Sequence, residues 1–420
     1  MVGKSVLLTN ANSGAGLDAG RALAAAGYRV ITTDFQRLPL GLRSRYSREH
    51  HVLPGTNQSD FENGLLALID RLRPSVFLPL GTRSVFAASR HRESLATMTA
   101  INVPTLKACL AATDKTVCMA ECHRLGIPCP AVYSQDQALA VFERDPEAML
   151  VVKPDFDAGA ASGVRYARNR EELQTALQEC TERFGGALIQ DYIPGGPEAM
   201  KTVIPLFTRE SVLVSAFTAR KVRQWPETGG VTAAGCSTAE KHLVDMVLPF
   251  FEKWRWCGAA EVELKFDRRD GQHKVIEINP RFPGYLRFPG ECGLNFPVMA
   301  VELALGGPAF APGAFPEYVT GARYLNPGLF FLTVYSRLRR DGPKKAEIRD
   351  ALREIRGAGP LLLRLLDDPL PMIGRALLRA SRIRRPAIMH SMRADRQNLT
   401  SERNDSSAVS AETALRNPAG

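Results

Sequence analysis

Residues 258–281 leave little freedom in how this chain folds, because they have the pattern of a β-hairpin. Polar and apolar residues alternate over residues 259–267 and again over residues 273–279, which is the period of a half-buried strand. The connecting residues 268–272 contain Asp-Gly, a pair that favours tight turns between antiparallel strands. We therefore expect two strands joined near Asp270, with one polar face and one face in the core.

The register of this hairpin brings four polar side chains together. Folding about Asp270 pairs Glu263 with Glu277 and Glu261 with Asn279, while the core face carries Val262, Leu264, Ile276 and Ile278. Two carboxylates directly opposite each other repel by up to about 1 kcal/mol, and a divalent cation reverses that interaction. Mg²⁺ takes oxygen ligands, typically one or two carboxylates with substrate phosphates. The sequence predicts a metal site at Glu263, Glu277 and Asn279; the alternative is a solvated strand face.

The end of the second strand, Glu277-Ile-Asn-Pro-Arg281, follows an acidic residue 14 positions upstream. This pattern resembles the metal-binding end of the ATP-grasp superfamily, in its carbamoyl-phosphate-synthetase-like and biotin-carboxylase-like branch. The resemblance implies ATP and Mg²⁺ (or Mn²⁺) between two α+β lobes, and a carboxylate activated as an acyl phosphate for attack by an amine or a thiol. Arg281 could meet a phosphate bidentately, and we take it with Lys153 as the candidate catalytic residues.

Composition and charge set limits on the other functions. The chain is 45% hydrophobic, and its eight cysteines show no disulfide or metal spacing, which indicates a reduced, cytoplasmic protein. No signal peptide is recognisable, and no apolar run approaches the ~18 residues that a membrane span needs. The net charge of +10 is concentrated in residues 331–400, which hold 16 Lys and Arg against 7 Asp and Glu. Since no nucleic-acid-reading motif accompanies them, we expect no nucleic-acid partner.

Residues 1–105 have the pattern of a Rossmann-like domain with a parallel sheet. Strand-like runs alternate with helical ones, the strands at Ser5–Thr9, Tyr28–Thr33 and Ser75–Leu80 and the helices at Leu17–Ala26 and Phe61–Leu72. The turn Thr9–Gly16 resembles the glycine loop of short-chain dehydrogenases, but none of the nine tyrosines has a lysine four positions on. An NAD(P) oxidoreductase is therefore disfavoured. The loop Leu80–Ser84 is either a contact with the acceptor substrate or a plain connection.

Residues 106–310 form the predicted two-lobed ATP-grasp domain. Asp114-Lys115 opens a helix, and the buried strand Leu150–Pro154 contains a lysine near its end. The resemblance implies that Lys115 and Lys153 contact the nucleotide phosphates; the alternative for Lys115 is a solvated lysine in the first helical turn. The small-residue loop that follows Lys153 could bring backbone N–H groups close to phosphate oxygens, or be an ordinary turn, and its candidate ATP-binding residues are Gly159, Ser162 and Gly163.

The segment Ala187–Gly195 resembles the hinge between ATP-grasp lobes, where the backbone contacts the adenine edge. Its candidate residues are Asp191, Tyr192 and Ile193, and the resemblance adds Glu198 as a contact to the ribose hydroxyls. Arg220 and Lys221 could face the phosphates. The loop Phe282–Gly293, rich in glycine, proline and aromatic residues, corresponds to the acceptor site of the family.

The C-terminal residues carry weaker patterns. Residues 311–394 are predicted to be a mainly helical extension that contains a strand-like apolar run at Leu329–Tyr335, and residues 395–420 a disordered polar tail. Residues 371–385 form a basic amphipathic pattern. Such a helix either packs on the body of the protein or makes weak peripheral contact with an anionic membrane surface.

Taken together, these patterns predict a mixed α/β and α+β protein: a Rossmann-like parallel-sheet domain, a two-lobed ATP-grasp domain and a mainly helical extension. The predicted activity is an ATP- and Mg²⁺-dependent ligase that joins a small-molecule carboxylate to an amine or similar nucleophile and releases ADP and phosphate. A non-catalytic nucleotide-binding protein remains the main alternative. The sequence leaves the oligomeric state and the identity of both substrates open.

Overall fold

The structure is a computed structural model. It describes residues 3–35, 44–55, 57–156, 163–227, 229–307, 317–342, 345–358 and 368–370. Within these ranges, no helix combines the length and the apolar character needed to cross a bilayer.

The N-terminal domain is built on a four-stranded parallel sheet, as predicted. Its strands are β1 (Ser5–Leu8), β2 (Arg29–Asp34), β3 (Glu49–Val52) and β4 (Val76–Leu78), in the order β3-β2-β1-β4. The helices are α1 (Gly14–Ala25), α2 (Gln58–Leu72), α3 (Thr82–Arg90) and α4 (Arg92–Ala96). The Ser13 side chain accepts a hydrogen bond from the Gly16 N–H and so caps α1. The buried face of α1 is made of small residues, so this helix can lie close to the sheet.

A connecting helical pair and a small antiparallel lobe follow. The pair comprises α5 (Leu106–Thr113) and α6 (Lys115–Arg124). The small lobe consists of β5 (Val132–Tyr133), α7 (Gln135–Arg144), β6 (Leu150–Pro154), β7 (Arg165–Ala167), α8 (Arg170–Phe184) and β8 (Ala187–Asp191), with strand order β5-β8-β6-β7. As predicted, Asp114 opens α6, because its carboxylate accepts from the N–H groups of Thr116 and Val117.

The large sheet is antiparallel and contains the hairpin. Its strands are β9 (Met200–Phe207), β10 (Leu213–Trp225), β11 (Val231–Thr238), β12 (Gly258–Ala259), β13 (Glu261–Asp267), β14 (Gln272–Asn279) and β15 (Arg323–Leu325). The order is β14-β13-β9-β10-β11-β15, and β12 also pairs with β9. The remaining helices are α9 (Lys241–Lys253), α10 (Arg287–Glu291), α11 (Phe296–Ala304), α12 (Pro327–Asp341) and α13 (Lys345–Gly357).

The N-terminal domain and the large sheet share one hydrophobic core. Leu8 of β1 and Leu23 of α1 belong to the same buried cluster as Phe217 of β10. Helix α1 is pressed against the segment that follows the hairpin, because a Cβ atom on Gly14 would lie 2.4 Å from the Gly284 carbonyl oxygen. Only glycine fits there, and the first turn of α1 therefore lies beside the predicted acceptor loop.

The apolar run Leu329–Tyr335, predicted to be strand-like, is the first half of α12, so that prediction is wrong. The Asn326 side chain accepts a hydrogen bond from the Leu329 N–H at 3.1 Å and caps the helix. Pro327 takes the first helical position, where its missing N–H has no cost. These start signals outweigh the strand propensity of the aromatic and β-branched residues in the run.

Ion pairs fasten the two C-terminal helices to the β10–β11 hairpin. The Arg223 side chain is 3% exposed and contacts two carboxylates of α13, Glu347 at 2.5 Å and Glu354 at 2.6 Å. On α12, Arg337 and Arg340 both contact Glu227, which lies in the loop after β10. The extension is thus attached to the large sheet through β15 and through these pairs.

The eight cysteines carry free thiols, as the sequence predicts; seven are buried, and Cys129 is half-buried. Burial raises the pKa of the Cys109 thiol to about 12 and that of the Cys292 thiol to about 11. At neutral pH these groups are protonated and behave as small apolar side chains.

Candidate active site

A cavity of about 980 Å³ opens between the small lobe and the large sheet. Its walls carry most of the site residues that the sequence predicts, namely Lys153, Asp191, Tyr192, Ile193, Glu263, Glu277, Asn279 and Arg281. Three predicted residues, Lys115, Gly163 and Glu198, are not on these walls. Gly159 and Ser162 lie outside the described residues.

The hairpin has the predicted register at its polar end. Glu263 lies opposite Glu277, and Glu261 lies opposite Asn279. Beyond Glu263 a β-bulge shifts the pairing by one residue on β14. Ile276, predicted to be in the core, therefore lies on the cavity wall, and Val275 takes the core position beside β13.

Each of the two facing carboxylates has its own lysine. The Lys221 ammonium of β10 lies 3.0 and 3.1 Å from the two carboxylate oxygens of Glu263 and donates to the Gly230 carbonyl at 3.1 Å. The Lys115 ammonium lies 3.9 Å from Glu277 Oε2, and it donates to the Phe156 carbonyl at 3.4 Å. Lysine charge thus offsets the repulsion between the two carboxylates.

Lys153 is buried beside this pair of carboxylates. Its ammonium donates to the Ile276 carbonyl oxygen at 3.2 Å. Burial and, to a smaller extent, the charge of Lys115 lower the pKa of Lys153 to about 8, and Glu277 acts in the opposite direction. A buried ammonium with so little counter-charge is suited to receive an anion from the cavity.

Arg281 lies next to the second carboxylate–amide pair. Its guanidinium donates to Glu261 Oε2 at 2.7 Å and to the Phe282 carbonyl at 3.0 Å. Burial raises the pKa of Glu261 to about 7, with Arg281 opposing this shift and Glu263 adding to it. Arg281 therefore already has an anionic partner, and a substrate anion would compete with Glu261 for the Arg281 guanidinium.

The donor chemistry at the polar end of the hairpin fits Mg²⁺. Glu263, Glu277 and Asn279 supply hard oxygen atoms from two adjacent strands to one cavity. Among the described residues, no group of three or more His, Cys, Asp or Glu side chains is arranged to hold a metal without other ligands. A metal here would accordingly need the Asn279 amide oxygen and further oxygens from substrate or water.

Two of the three backbone N–H groups predicted to contact adenine at the hinge already donate hydrogen bonds within the protein. The N–H of Asp191 donates to the Ala131 carbonyl at 3.0 Å, and that of Tyr192 donates to the Met149 carbonyl at 3.3 Å. Of the three amides predicted to meet adenine, Ile193 alone has no recorded backbone partner in the described part of the chain. The wall around it is largely apolar, with Met149, Val151, Met200 and Ile276.

Two further predicted ATP contacts are displaced from the cavity. Glu198 folds back so that Oε1 accepts from the Gly196 N–H at 3.0 Å, while Gly195 and Gly196 line the cavity themselves. Gly163 has a φ of +87°, and a Cβ atom there would lie 2.4 Å from the Phe184 ring. Gly163 is thus required by backbone shape and close packing at the end of the loop.

Part of the site was beyond sequence reasoning. Helix α1 contributes Leu17, Asp18 and Arg21 to the wall, and the start of α12 contributes residues 326–329. No local motif marks these positions, because they reach the cavity only through packing between distant elements. The loop Leu80–Ser84, one of whose two interpretations was a substrate contact, does not line the cavity; Ser84 instead bonds to Thr9 at 2.7 Å.

Comparison with known proteins identifies the central region. The family model described as "ATP-grasp domain" matches residues 112–285. These residues are an ATP-grasp domain. The predicted resemblance is thereby confirmed, and the polar hairpin, Lys115 and Lys153 all lie inside the ATP-grasp match.

Two kinds of similar protein were found besides this family model. A D-alanine–D-alanine ligase of Marinomonas sp. (strain MWYL1) is 36% identical over 99 residues, which is 23% of this chain and 31% of the relative. The alignment thus spans about a third of that curated relative. Among solved structures, biotin carboxylase of Campylobacter jejuni in its beta-gamma-ATP complex has a TM-score of 0.61 at 14% identity, covering 76% of this chain and 74% of that one.

The biotin carboxylase domain of the Hydrogenobacter thermophilus 2-oxoglutarate carboxylase, in complex with MgADP, ADP and bicarbonate, has a TM-score of 0.58 at 16% identity. This likeness covers 76% of our chain and 71% of that chain. At such identities the two structures support the fold alone.

Proposed function

We propose that this protein is an ATP- and Mg²⁺-dependent ligase that activates a carboxylate as an acyl phosphate and joins it to an amine, releasing ADP and phosphate. The observation that carries the proposal is the pair Glu263 and Glu277 in one cavity with three lysine ammonium groups beside it. The name of the Marinomonas relative, a ligase of two amino acids, agrees with this reaction class.

The phosphate end of the cavity has the charges that phosphoryl transfer needs. Catalysis of this reaction rests mostly on positioning and on neutralising the charge of the transferred group. Lys153 and Lys221 are buried cations on the two different sheets, and Lys115 lies beside the Glu277 carboxylate. Glu263, Glu277 and Asn279 would hold Mg²⁺, which would supply positive charge to neutralise the phosphate.

The hinge end of the cavity suits a planar base. Apolar side chains from β6, β9 and β14 offer flat contact, and the Ile193 N–H could donate to a ring nitrogen. A backbone amide reads the edge of adenine whatever side chain stands at that position. Glu198, two residues beyond Gly196, would need to leave the Gly196 amide to reach a ribose hydroxyl.

Arg281 is the residue best placed to act on the activated carboxylate. It lies two residues beyond Asn279 and keeps its guanidinium at the cavity wall. When a substrate carboxylate arrives, Arg281 can hold it in line with the terminal phosphate and then stabilise the negative charge of the acyl phosphate. Glu261 orients Arg281 through the 2.7 Å contact.

The test is turnover with defined probes. Purified protein is incubated with Mg-ATP and pooled carboxylates and amines, including the twenty L-amino acids, and the release of ADP and phosphate is followed. Hydroxylamine, added in place of the amines, converts an acyl phosphate into a coloured hydroxamate. Glu277→Gln should abolish both signals, whereas Glu143→Gln, at an exposed position on α7, should leave them unchanged.

Three outcomes separate the candidate functions. ADP with hydroxamate supports the ligase. AMP with pyrophosphate would place the chemistry outside acyl-phosphate activation. Nucleotide binding without any turnover would favour the non-catalytic alternative. Substitution of Mn²⁺ for Mg²⁺, a cytoplasmic location and peripheral membrane contact through residues 371–385 remain predictions, and those last residues lie outside the described ranges.

A further inference from the structure

The loop between β10 and β11 forms part of the cavity wall next to Lys221. Two hydrogen bonds tie this loop to the end of β10. The Gly230 carbonyl accepts from the Lys221 ammonium at 3.1 Å, and the Glu227 carbonyl accepts from the Gln224 side-chain amide at 2.8 Å. We call the described residues of this loop the cavity loop: Pro226, Glu227, Gly229 and Gly230.

The Lys221 ammonium has three N–H groups, and each has an acceptor nearby. One donates to the Gly230 carbonyl, and the two carboxylate oxygens of Glu263 lie at 3.0 and 3.1 Å. The Lys221 side chain is only 2% exposed, so little water reaches it. When Glu263 turns its carboxylate to Mg²⁺, the Gly230 carbonyl keeps the buried ammonium hydrogen-bonded while it turns towards a phosphate.

Two arginines of α12 hold the cavity loop from outside the cavity. Arg337 and Arg340 both contact the Glu227 carboxylate, and neither is on the cavity wall. Arg337 also lies 3.5 Å from Glu347 of α13. Since residues 326–329 at the start of α12 line the cavity, this helix meets the site directly at one end and supports the cavity loop near the other.

Helix α12 is also attached to the large sheet by contacts that do not involve these two arginines. Phe330 is buried in one cluster with Leu325 of β15, Ala234 of β11 and Ala351 of α13. Arg223 of β10 adds a cation over the Phe330 ring, 5.3 Å from its centroid. The helix should therefore stay packed on the sheet when the arginines change, and their contacts with Glu227 serve to place the cavity loop.

We propose that α12 positions Lys221 through the cavity loop and thereby sets how readily Glu263 can hold Mg²⁺. Arg337, Arg340 and Glu227 are positioning residues, because they act on the metal ligand through the Gly230 carbonyl and Lys221. This inference rests on the proposed Mg²⁺-dependent function. It gives a part in that function to α12, which lies beyond the residues 112–285 that match the ATP-grasp family.

The physical reason is the cost of leaving a buried ammonium without acceptors. If the two arginines are removed, the cavity loop loses its outer attachment, and the Gly230 carbonyl is no longer held at the Lys221 ammonium. Lys221 then depends on Glu263 for its hydrogen bonds. Release of the Glu263 carboxylate to Mg²⁺ would strand a buried charge, so the metal should bind more weakly.

The experiment measures ADP binding by calorimetry across a range of Mg²⁺ concentrations. In Arg337→Met/Arg340→Met, the Mg²⁺ concentration that gives half of the full gain in ADP affinity should rise by roughly 10- to 100-fold. ADP affinity in EDTA should stay within about threefold of wild type, because the hinge and Lys153 are unchanged. Any ATP turnover that the double variant loses at low Mg²⁺ should return at high Mg²⁺.

Matched variants separate positioning from a general effect on the helix. Arg337→Lys/Arg340→Lys keeps both charges and should restore most of the Mg²⁺ response. Arg339→Met removes a charge from an exposed position of the same helix and should behave as wild type. Glu347→Gln removes the other recorded partner of Arg337 and should leave the Mg²⁺ response unchanged.

Glu227→Gln should shift the Mg²⁺ response as the double arginine variant does, and combining the three changes should add little, because they act on one contact. An unchanged Mg²⁺ response in Arg337→Met/Arg340→Met, whether or not its thermal unfolding midpoint falls, would overturn the inference and leave the ligase proposal standing. Full additivity with Glu227→Gln would also overturn it. ADP binding that ignores Mg²⁺ in wild type would refute the proposed metal site and this inference together.

Discussion

Replacing Lys153 with methionine should make the nucleotide-free protein more stable and its ATP binding weaker. In the folded protein, burial and the charge of Lys115 lower the pKa of Lys153 from 10.5 to about 8. That difference corresponds to about 3 kcal/mol of unfavourable interaction for the charged form. The hydrogen bond to the Ile276 carbonyl returns about 1 kcal/mol, so Lys153→Met should raise the free energy of unfolding by roughly 2 kcal/mol at pH 7.

The pH dependence gives this prediction a sign that can be checked. Since the pKa of Lys153 in the folded state lies below that in the unfolded state, the unfolded chain binds more protons between pH 8 and 10.5. Stability should therefore rise with pH across this window in wild type, and the rise should be smaller in Lys153→Met. Below pH 8 the full cost of the buried charge is present, so the variant's advantage is greatest there.

Urea unfolding in EDTA, without nucleotide, at pH 7 and at pH 10 measures the first effect, and calorimetry with ATP measures the second. Loss of a buried cation that faces phosphate should weaken ATP binding by about 2–5 kcal/mol. Lys107→Met, an exposed position on α5, is the matched control and should change neither quantity. A Lys153→Met protein that is less stable at pH 7 and binds ATP as wild type would refute the reasoning.

Three further predictions test other parts of the molecule. Glu277→Gln should keep the thermal unfolding midpoint of wild type but lose Mg²⁺-dependent ATP turnover, and Glu263→Gln should behave in the same way. Retained turnover in Glu277→Gln would contradict the metal site. Arg223→Met should lower the free energy of unfolding by about 1–3 kcal/mol, because half-buried Glu354 loses its cation while Glu347 keeps Arg337. Adding Glu354→Leu should restore part of this loss in urea titrations. Sedimentation with anionic liposomes tests residues 371–385: binding that salt and truncation both remove supports membrane contact, and no binding at low salt rejects it.

Local periodicity was sufficient to predict the central hairpin. Alternation with period two, together with one Asp-Gly turn, predicted that Glu263 faces Glu277, and the structure has that pairing. The bulge next to it was not predictable, since nothing in the alternation marks the residue at which the register slips by one. Ile276 consequently lies on the cavity wall, where it offers its carbonyl to Lys153.

The cavity wall beside α1 marks the limit of sequence reasoning. The segment after Arg281 was expected there, but Asp18 was not, because it reaches the site only when α1 packs against residues more than 260 positions later, as its hydrogen bond to Arg287 shows. The apolar run of α12 was misassigned for a different reason. Its aromatic and β-branched residues favour a strand, but the Asn326 cap and the proline at the next position favour the start of a helix.

The buried thiols give this protein built-in reporters of local opening. Cys118 and Cys122 lie one and two turns along α6 from Lys115, and both are fully enclosed. An alkylating reagent can reach them only when that helix separates from its neighbours, so their labelling rate follows the opening equilibrium of the element that carries Lys115. Half-buried Cys129 should react first, and its labelling rate serves as the internal reference for the other two thiols. A nucleotide that bridges the lobes should then slow alkylation of α6 far more than alkylation of Cys129.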